Sequence, residues 1–161
     1  TAYHEAGHAI IARMLGADIK EISIEPTPKL NRTGHIEYKF AGNCHKKSEL
    51  LNIIETTLGG MAAELVIYGE TSCGPFDDLN KAKREALHMI ENLAMGNKIL
   101  YSKEDPELFV EANDILQNAK KDAIAKLTRN EDILHLLKRL LLEQKTLHQK
   151  EIENFFLTNG L

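Results

Sequence analysis

A chain of 161 residues with 43% hydrophobic and 27% charged residues has the composition of one globular domain, and a domain of this length buries about two thirds of the surface its unfolded chain exposes. A net charge of -4, with acidic and basic residues interspersed, leaves no basic footprint and excludes nucleic acid as a partner. No apolar run approaches the roughly 20 residues that cross a bilayer, no signal segment opens the chain, and two cysteines, Cys44 and Cys73, are too few for a disulfide framework, so a soluble fragment from a reducing compartment is expected.

In chain order, Ala2, Ala6, Ala9, Ile10 and Ile11 form a small and apolar surface that predicts a helix over 2–15, stopped by Gly16. Apolar residues alternate from Ile19 to Ile24, are interrupted by Pro26, Pro28 and Asn31, and alternate again from Gly34 to Phe40 with Ile36, Tyr38 and Phe40 on one face. That pattern predicts a strand, a loop and a strand. Ser48 is placed to cap a long helix ending at Gly69, with Leu51, Ile54, Leu58, Met61 and Leu65 at helical spacing. Its interior pair Gly59-Gly60 lowers helix propensity by about 1 kcal/mol per glycine against alanine, a cost met where another backbone approaches closely. The first helix is expected to pack there.

Asp77 or Asp78 opens a further helix, with Leu79, Ala82, Ala86, Met89 and Ile90 on its buried side, and a break follows around 96–102. Asp105 caps the next, with Pro106 at its first position and an end near Leu127. Asn130 starts a leucine-rich helix through Ile133, Leu136, Leu137, Leu140 and Leu141, and Thr146 caps a short last one through Ile152 and Phe156. The expected fold is mainly α, with a small β-hairpin or sheet in the N-terminal half and a C-terminal helical bundle.

The chemistry sits at the N-terminus. His4-Glu5-Ala6-Gly7-His8 is an HExxH sequence on a predicted helix, where positions i and i+4 share one face, so both imidazoles reach one ion. Glu5 is placed to take a proton from water and pass it to a leaving amine. Zinc suits the set, because it accepts imidazole and carboxylate in a tetrahedral site with one position open to water, whose pKa falls to about 7. The nearby third histidine of HExxHxxGxxH proteases is missing, since Ala9-Ile10-Ile11-Ala12-Arg13-Met14 follows. A third ligand must come from farther along, and Glu64 and Asp78 are both candidates. Asp78 has the advantage of a helix first turn, whose partial positive charge keeps a carboxylate ionised. Cys73, His35, His45 and His88 are expected bystanders.

Together these residues resemble the peptidase domain of the FtsH family over nearly the whole chain. Thr1-Ala2-Tyr3-His4-Glu5-Ala6-Gly7-His8-Ala9 is close to its motif helix. Leu58-Gly59-Gly60 followed by Ala62-Ala63-Glu64 and Gly69 is similar to its second signature, and Asp78-Leu79 to its third. Leu142-Glu143, Thr146-Leu147 and Glu151-Ile152 resemble its closing pattern. Two departures set the chain apart: Met61 stands where the family usually has arginine, and Cys73-Gly74-Pro75-Phe76-Asp77 replaces a threonine, glycine, alanine run.

The resemblance implies a helical zinc-peptidase domain over 1–161, with a catalytic part over about 1–100 and a helical part over about 105–161. It implies one Zn2+ held by His4, His8 and Asp78, with Glu5 catalytic and Glu64 a supporting carboxylate near the histidines. It further implies unfolded or membrane protein substrates and a homo-hexamer of the full-length protein. An upstream AAA+ ATPase module, often preceded by membrane helices, is expected to precede Thr1, and ATP enters only through that module, because no GxxxxGK[ST] loop is present here. The expected location is membrane-anchored with the peptidase domain on the cytoplasmic face, the bacterial inner membrane favoured over an organelle membrane. Gly34, His35, Ile36, Glu37 and Tyr38 form a candidate edge strand for an extended substrate. A catalytically silent assembly domain and a non-proteolytic zinc hydrolase are the alternatives, and zinc content and turnover of unfolded casein discriminate them.

Overall fold

The structure is a computed structural model and describes residues 1–27, 33–42 and 45–161; the predicted loop residues Pro28 and Asn31, and Cys44, lie outside it. Among the described residues the order is α1 (Ala2–Met14), β1 (Asp18–Ser23), β2 (His35–Lys39), α2 (Lys47–Thr57), α3 (Gly59–Tyr68), α4 (Phe76–Glu91), α5 (Pro106–Arg129), α6 (Glu131–Gln144), β3 (Thr146–His148) and α7 (Gln149–Thr158). The fold is mainly α, and no single described helix is long and apolar enough to cross a membrane.

Two apolar clusters meet along α5. The larger gathers α1, β1, α3, α6, β3 and α7 around Ile10, Ile22, Leu127, Leu137, Leu141 and Phe156. The smaller joins α2, α4 and α5 through Ile54, Leu58, Ala86, Met89 and Ala112. Of the leucine stripe on α6, Leu137 and Leu141 are fully buried while Leu136 remains 41% exposed, so the stripe is chiefly core. Asp105 caps α5 as expected, its carboxylate accepting from the Glu107 N–H at 3.0 Å with Pro106 in the first turn.

The helix expected over 48–69 is two helices, broken at Leu58 and bent by 45°. It also starts before Ser48, because Glu49 reaches back to the Lys46 backbone N–H at 2.5 Å. The bend lets α3 follow α1 at backbone distance. A Cβ on Gly59 would stand 3.0 Å from the Gly7 carbonyl oxygen and 3.0 Å from His8 Cα, and a Cβ on Gly7 would stand 2.4 Å from the Gly59 carbonyl oxygen. The close approach expected of Gly59-Gly60 is therefore present, with Gly7 as its counterpart.

The second difference lies at the C-terminus, where Thr146 starts no helix. Lys145 turns the chain at a φ of 67°, its carbonyl accepts from the Ile24 N–H at 2.9 Å, and residues 146–148 become the third strand of an antiparallel sheet ordered β2-β1-β3. Helix α7 begins only at Gln149, with Glu151 accepting from the His148 N–H at 2.8 Å. Ladder partners fix two faces: Ile22, Ile36 and Leu147 on the side of the core, and Glu21, Ser23, His35, Thr146 and His148 on the other. On the polar face Glu21 bonds the His35 ring at 2.9 Å, and its other oxygen lies 3.1 Å from His148 Nδ1. Among the described residues strand β2 pairs only with β1 and is an edge.

Gly7→Ala should lower the unfolding free energy by about 2 kcal/mol, although alanine is the better helix former by about 1 kcal/mol, because its methyl meets fixed backbone. Urea unfolding measures this, and an unchanged midpoint would show that the two helices can separate at no cost.

Candidate metal centre

Helix α1 carries His4 and His8 one turn apart, with ring centroids 4.7 Å apart. Each ring is held from behind. His8 Nδ1 lies 2.8 Å from the Thr56 carbonyl at the end of α2, and since a carbonyl only accepts, Nδ1 carries the proton. His4 Nδ1 donates in the same way to Glu64 Oε1 of α3 at 3.1 Å. Both Nε2 atoms are then lone-pair acceptors, and they stand 3.1 Å apart.

Asp78, in the first turn of α4, completes the group. Its Oδ2 is 3.0 Å from His4 Nε2 and 3.1 Å from His8 Nε2, and the three ligand atoms lie within 4.8 Å of one another. Three acceptors at this spacing repel unless a cation or an extra proton sits among them. Tetrahedral zinc with bonds of about 2.0–2.2 Å sets its ligand atoms about 3.3 Å apart, so the donor set fits that ion in both chemistry and spacing. Gly60 supplies the room: a Cβ there would fall 2.5 Å from His4 Nε2 and 2.6 Å from His8 Nε2.

Glu64 occupies a different position from Asp78. One oxygen holds the outer nitrogen of His4, and the other accepts from the Ser72 backbone N–H at 2.7 Å. The carboxylate thus ties the segment leading into α4 to the ring of His4, in the manner of groups that orient ligands. Burial pushes its carboxyl up, but the Ser72 and His4 hydrogen bonds outweigh this and leave it below its ordinary value.

Glu5 is 6% exposed and turns toward β2, where a Cβ on Gly34 would lie 2.8 Å from its Oε1. Burial raises its carboxyl above the ordinary value against the pull of His8 and His4, the direction that suits a base working near neutral pH. Burial also raises Asp78, yet the hydrogen bonds and charges of His4 and His8 overcome it and hold that carboxyl far below the usual range. For His8 burial disfavours the charged form, while the hydrogen bond and charge of Asp78 win and raise its pKa.

All of these groups open into one cavity of about 600 Å³, walled by the motif face of α1, the start of α4 and β2. Gly34, His35, Ile36 and Tyr38 of the predicted edge strand line it, whereas Glu37 is exposed. The expected bystanders stay outside the ligand cluster: His35 bonds Glu21, His88 bonds Asn92 at 3.0 Å, and Cys73 is an exposed thiol. Burial is also the main cause that raises the Tyr38 phenol, with the charge of Asp78 adding to it and the Thr57 hydroxyl opposing it. Sequence reading missed the Thr56 carbonyl and the Ser72 amide. Both act through backbone atoms, which carry no residue signature.

Residues 1–109 match the family model described as Peptidase family M41. An ATP-dependent zinc metalloprotease FtsH of Mycoplasma mobile is 31% identical, covering 94% of this chain and 25% of the relative. One of Mesomycoplasma conjunctivae is 32% identical over 94% of this chain and 24% of its own length, and one of Veillonella parvula is 29% identical over 97% and 28%. The chain spans about a quarter of the length of the curated relatives it matches.

The linked pKa shifts set a pH signature. His8 is raised in the folded chain, so its stabilising contribution without metal is complete below the ordinary histidine value of about 6.5 and is lost as pH rises through the folded value. Asp78 is lowered, so its contribution is present above the ordinary carboxylate value of about 3.9 and is lost as pH falls through the folded one. Metal needs deprotonated Nε2 atoms, so it stabilises more as pH rises. The thermal midpoint of the metal-free protein should therefore fall between pH 6 and 9 relative to the zinc-loaded protein. Parallel curves would contradict the linkage.

Proposed function

This chain belongs to peptidase family M41, and on that premise we propose that it is a zinc-dependent endopeptidase domain in which His4, His8 and Asp78 hold the metal and Glu5 is the general base. The observation that carries the reading is the convergence of three acceptor atoms within 4.8 Å, in the cavity that also holds Glu5 and the edge strand.

Zinc, when bound, supplies Lewis acidity to the scissile carbonyl and to water. The protein does the rest. Glu5 takes a proton from the attacking water on its carboxylate and hands it to the departing amine, so the carboxylate is regenerated in each cycle. The outward hydrogen bonds to Thr56 and Glu64 fix the ring orientations and direct both Nε2 atoms inward. The free edge of β2 runs along the cavity and offers backbone groups to an extended peptide, giving affinity with little demand on sequence.

At the level of the whole protein, we propose an ATP-dependent, membrane-associated protease that degrades unfolded or unneeded proteins. The names of the relatives, ATP-dependent zinc metalloproteases, support the ATP-dependent proteolysis in this reading. In it, 1–161 is the peptidase unit, an AAA+ module upstream binds ATP, and the full chain assembles as a homo-hexamer. The membrane anchor leaves the peptidase on the cytoplasmic face, with the bacterial inner membrane favoured over an organelle membrane.

Elemental mass spectrometry on purified protein tests the site. Wild type and Glu5→Gln should each carry about one zinc, Asp78→Ala should lose it, and Glu64→Ala should keep it with weakened affinity by about 10–100-fold. Glu5→Gln should slow casein cleavage by on the order of 10²–10⁴. A wild type that binds no zinc when supplied with it would overturn the reading. For the edge strand, a peptide N-methylated at the amides flanking the scissile bond should be cleaved at least about 10-fold more slowly, since each methyl removes one ladder hydrogen bond; equal turnover would remove strand pairing from the mechanism.

A further inference from the structure

A peptide that adds to the edge of β2 presents its side chains alternately to the two faces of the sheet, so every second residue points to the side of Ile36, Tyr38 and Phe40. We propose that the far end of this inward face is a substrate subsite, separate from the metal centre, which takes one bulky neutral side chain, aromatic above all, about four to six residues from the scissile bond. The inference rests on the endopeptidase reading above and on pairing along β2. Backbone pairing makes little demand on sequence, and the subsite adds a preference at one remote position.

The subsite is a second cavity, of about 470 Å³, lined by Tyr38, Lys39, Phe40, Gly42, His45 and Ile53. Tyr38 and Ile53 also line the cavity that holds Glu5, His4, His8 and Asp78. The two spaces therefore adjoin across these side chains, and one extended peptide can occupy both. The walls come from both apolar clusters: Tyr38 and Phe40 pack on the larger, and Ile53 of α2 packs on the smaller. Where the clusters part, all three side chains stay partly exposed. Concave apolar surface of this kind is what a bound side chain removes from water.

The lining selects the occupant. The rings of Tyr38 and Phe40 stand edge to face, with centroids 5.9 Å apart and planes at 84°, and a third ring entering beside them extends the same packing. Among the described residues this lining holds no carboxylate, while Lys39 stands exposed at its rim. The metal cavity is the opposite, with Glu5, Glu64, Asp77, Asp78 and Glu85 in its walls. A substrate lysine or arginine thus finds no counter-charge in the second cavity and is repelled by Lys39.

The strand measures the distance. Gly34 marks its catalytic end, since a Cβ there would stand 2.8 Å from Glu5 Oε1. Tyr38 and Phe40 lie four and six residues farther along, or about 13 and 20 Å at a strand rise of about 3.3 Å per residue. A paired peptide advances by the same rise, so its inward side chain at this level belongs to a residue about four to six positions from the bond being cut, on one side of it only. Such a remote contact is the same in the bound substrate and in the transition state, so it acts through KM and not kcat.

The test uses zinc-loaded protein and a long Ser-Ala repeat peptide carrying a single Phe, with the cuts mapped by mass spectrometry. Cuts should be enriched about four to six residues from the Phe on one side, and a Lys in its place should give no enrichment. For the favoured bond, KM should be at least about 10-fold lower than in the peptide with Ala for Phe, with kcat within about two-fold. In Phe40→Ala the ratio of kcat/KM between the Phe and Ala peptides, in which any general loss of turnover cancels, should fall to about 1. Cuts placed without regard to the Phe, cuts only at the bonds flanking it, or a ratio retained in Phe40→Ala would each overturn the proposal. The wild-type map decides the matter whether or not that variant folds. Failure of the endopeptidase reading looks different, because wild type would then cut none of the peptides, and the subsite would fall with it.

Discussion

The contact between the backbones of α1 and α3 sets the geometry on which the rest of the site depends. Side chains on both helices would hold their axes about 8–10 Å apart or more, too far for His4 and His8 to be gripped from α3 and the end of α2. Glycine on both sides removes that spacing. Gly7 lies against the Gly59 carbonyl, Gly59 against Gly7 and His8, and Gly60 against the imidazole edges themselves. The 45° break at Leu58 follows from the same demand, because α2 must pack on α4 and α5 while α3 must run beside α1.

Once α1 and α3 touch, each histidine acquires a partner that determines which nitrogen faces inward. The Thr56 carbonyl lies at the end of α2, where it accepts from the backbone N–H at the cap and from His8 as well, a carbonyl oxygen having two lone pairs. That end is itself anchored. Glu55 is buried and pairs with Lys126 of α5 at 2.7 Å, so the second apolar cluster and the His4, His8 and Asp78 cluster share one support. Glu64 performs the matching task for His4 and extends it through Ser72 to the loop before α4. Asp78 arrives at the cluster on the first turn of that helix, where the dipole favours its negative charge.

The sheet serves the site from the other side. Strand β1 fills the core with Ile19 and Ile22, and β3 covers its second edge, which leaves β2 as the exposed edge beside Glu5. A two-stranded hairpin alone would be marginal in water. The three residues of β3 and the Glu21 contacts to His35 and His148 steady it, which keeps Tyr38 and Gly34 at fixed places along the cavity.

Much of this was legible in the chain because it is local. Spacing of i and i+4 puts His4 and His8 on one face, Asp105-Pro106 marks a helix start, and Gly59-Gly60 signals a close approach, all within windows where helical geometry is fixed by chemistry a few residues long. Tertiary structure decided what depends on distant partners. The split of α2 from α3 was hidden because Leu51, Ile54, Leu58, Met61 and Leu65 keep helical spacing through the bend. Thr146 reads as a cap, yet pairing with Ser23 and the turn at Lys145 make it a strand. Between Glu64 and Asp78 the residues alone left the choice of ligand open. Folding carried one carboxylate to the inner nitrogens and the other to the outer nitrogen of His4, because only the packing of α4 against α2 and α5 determines which oxygen can reach which side of a ring.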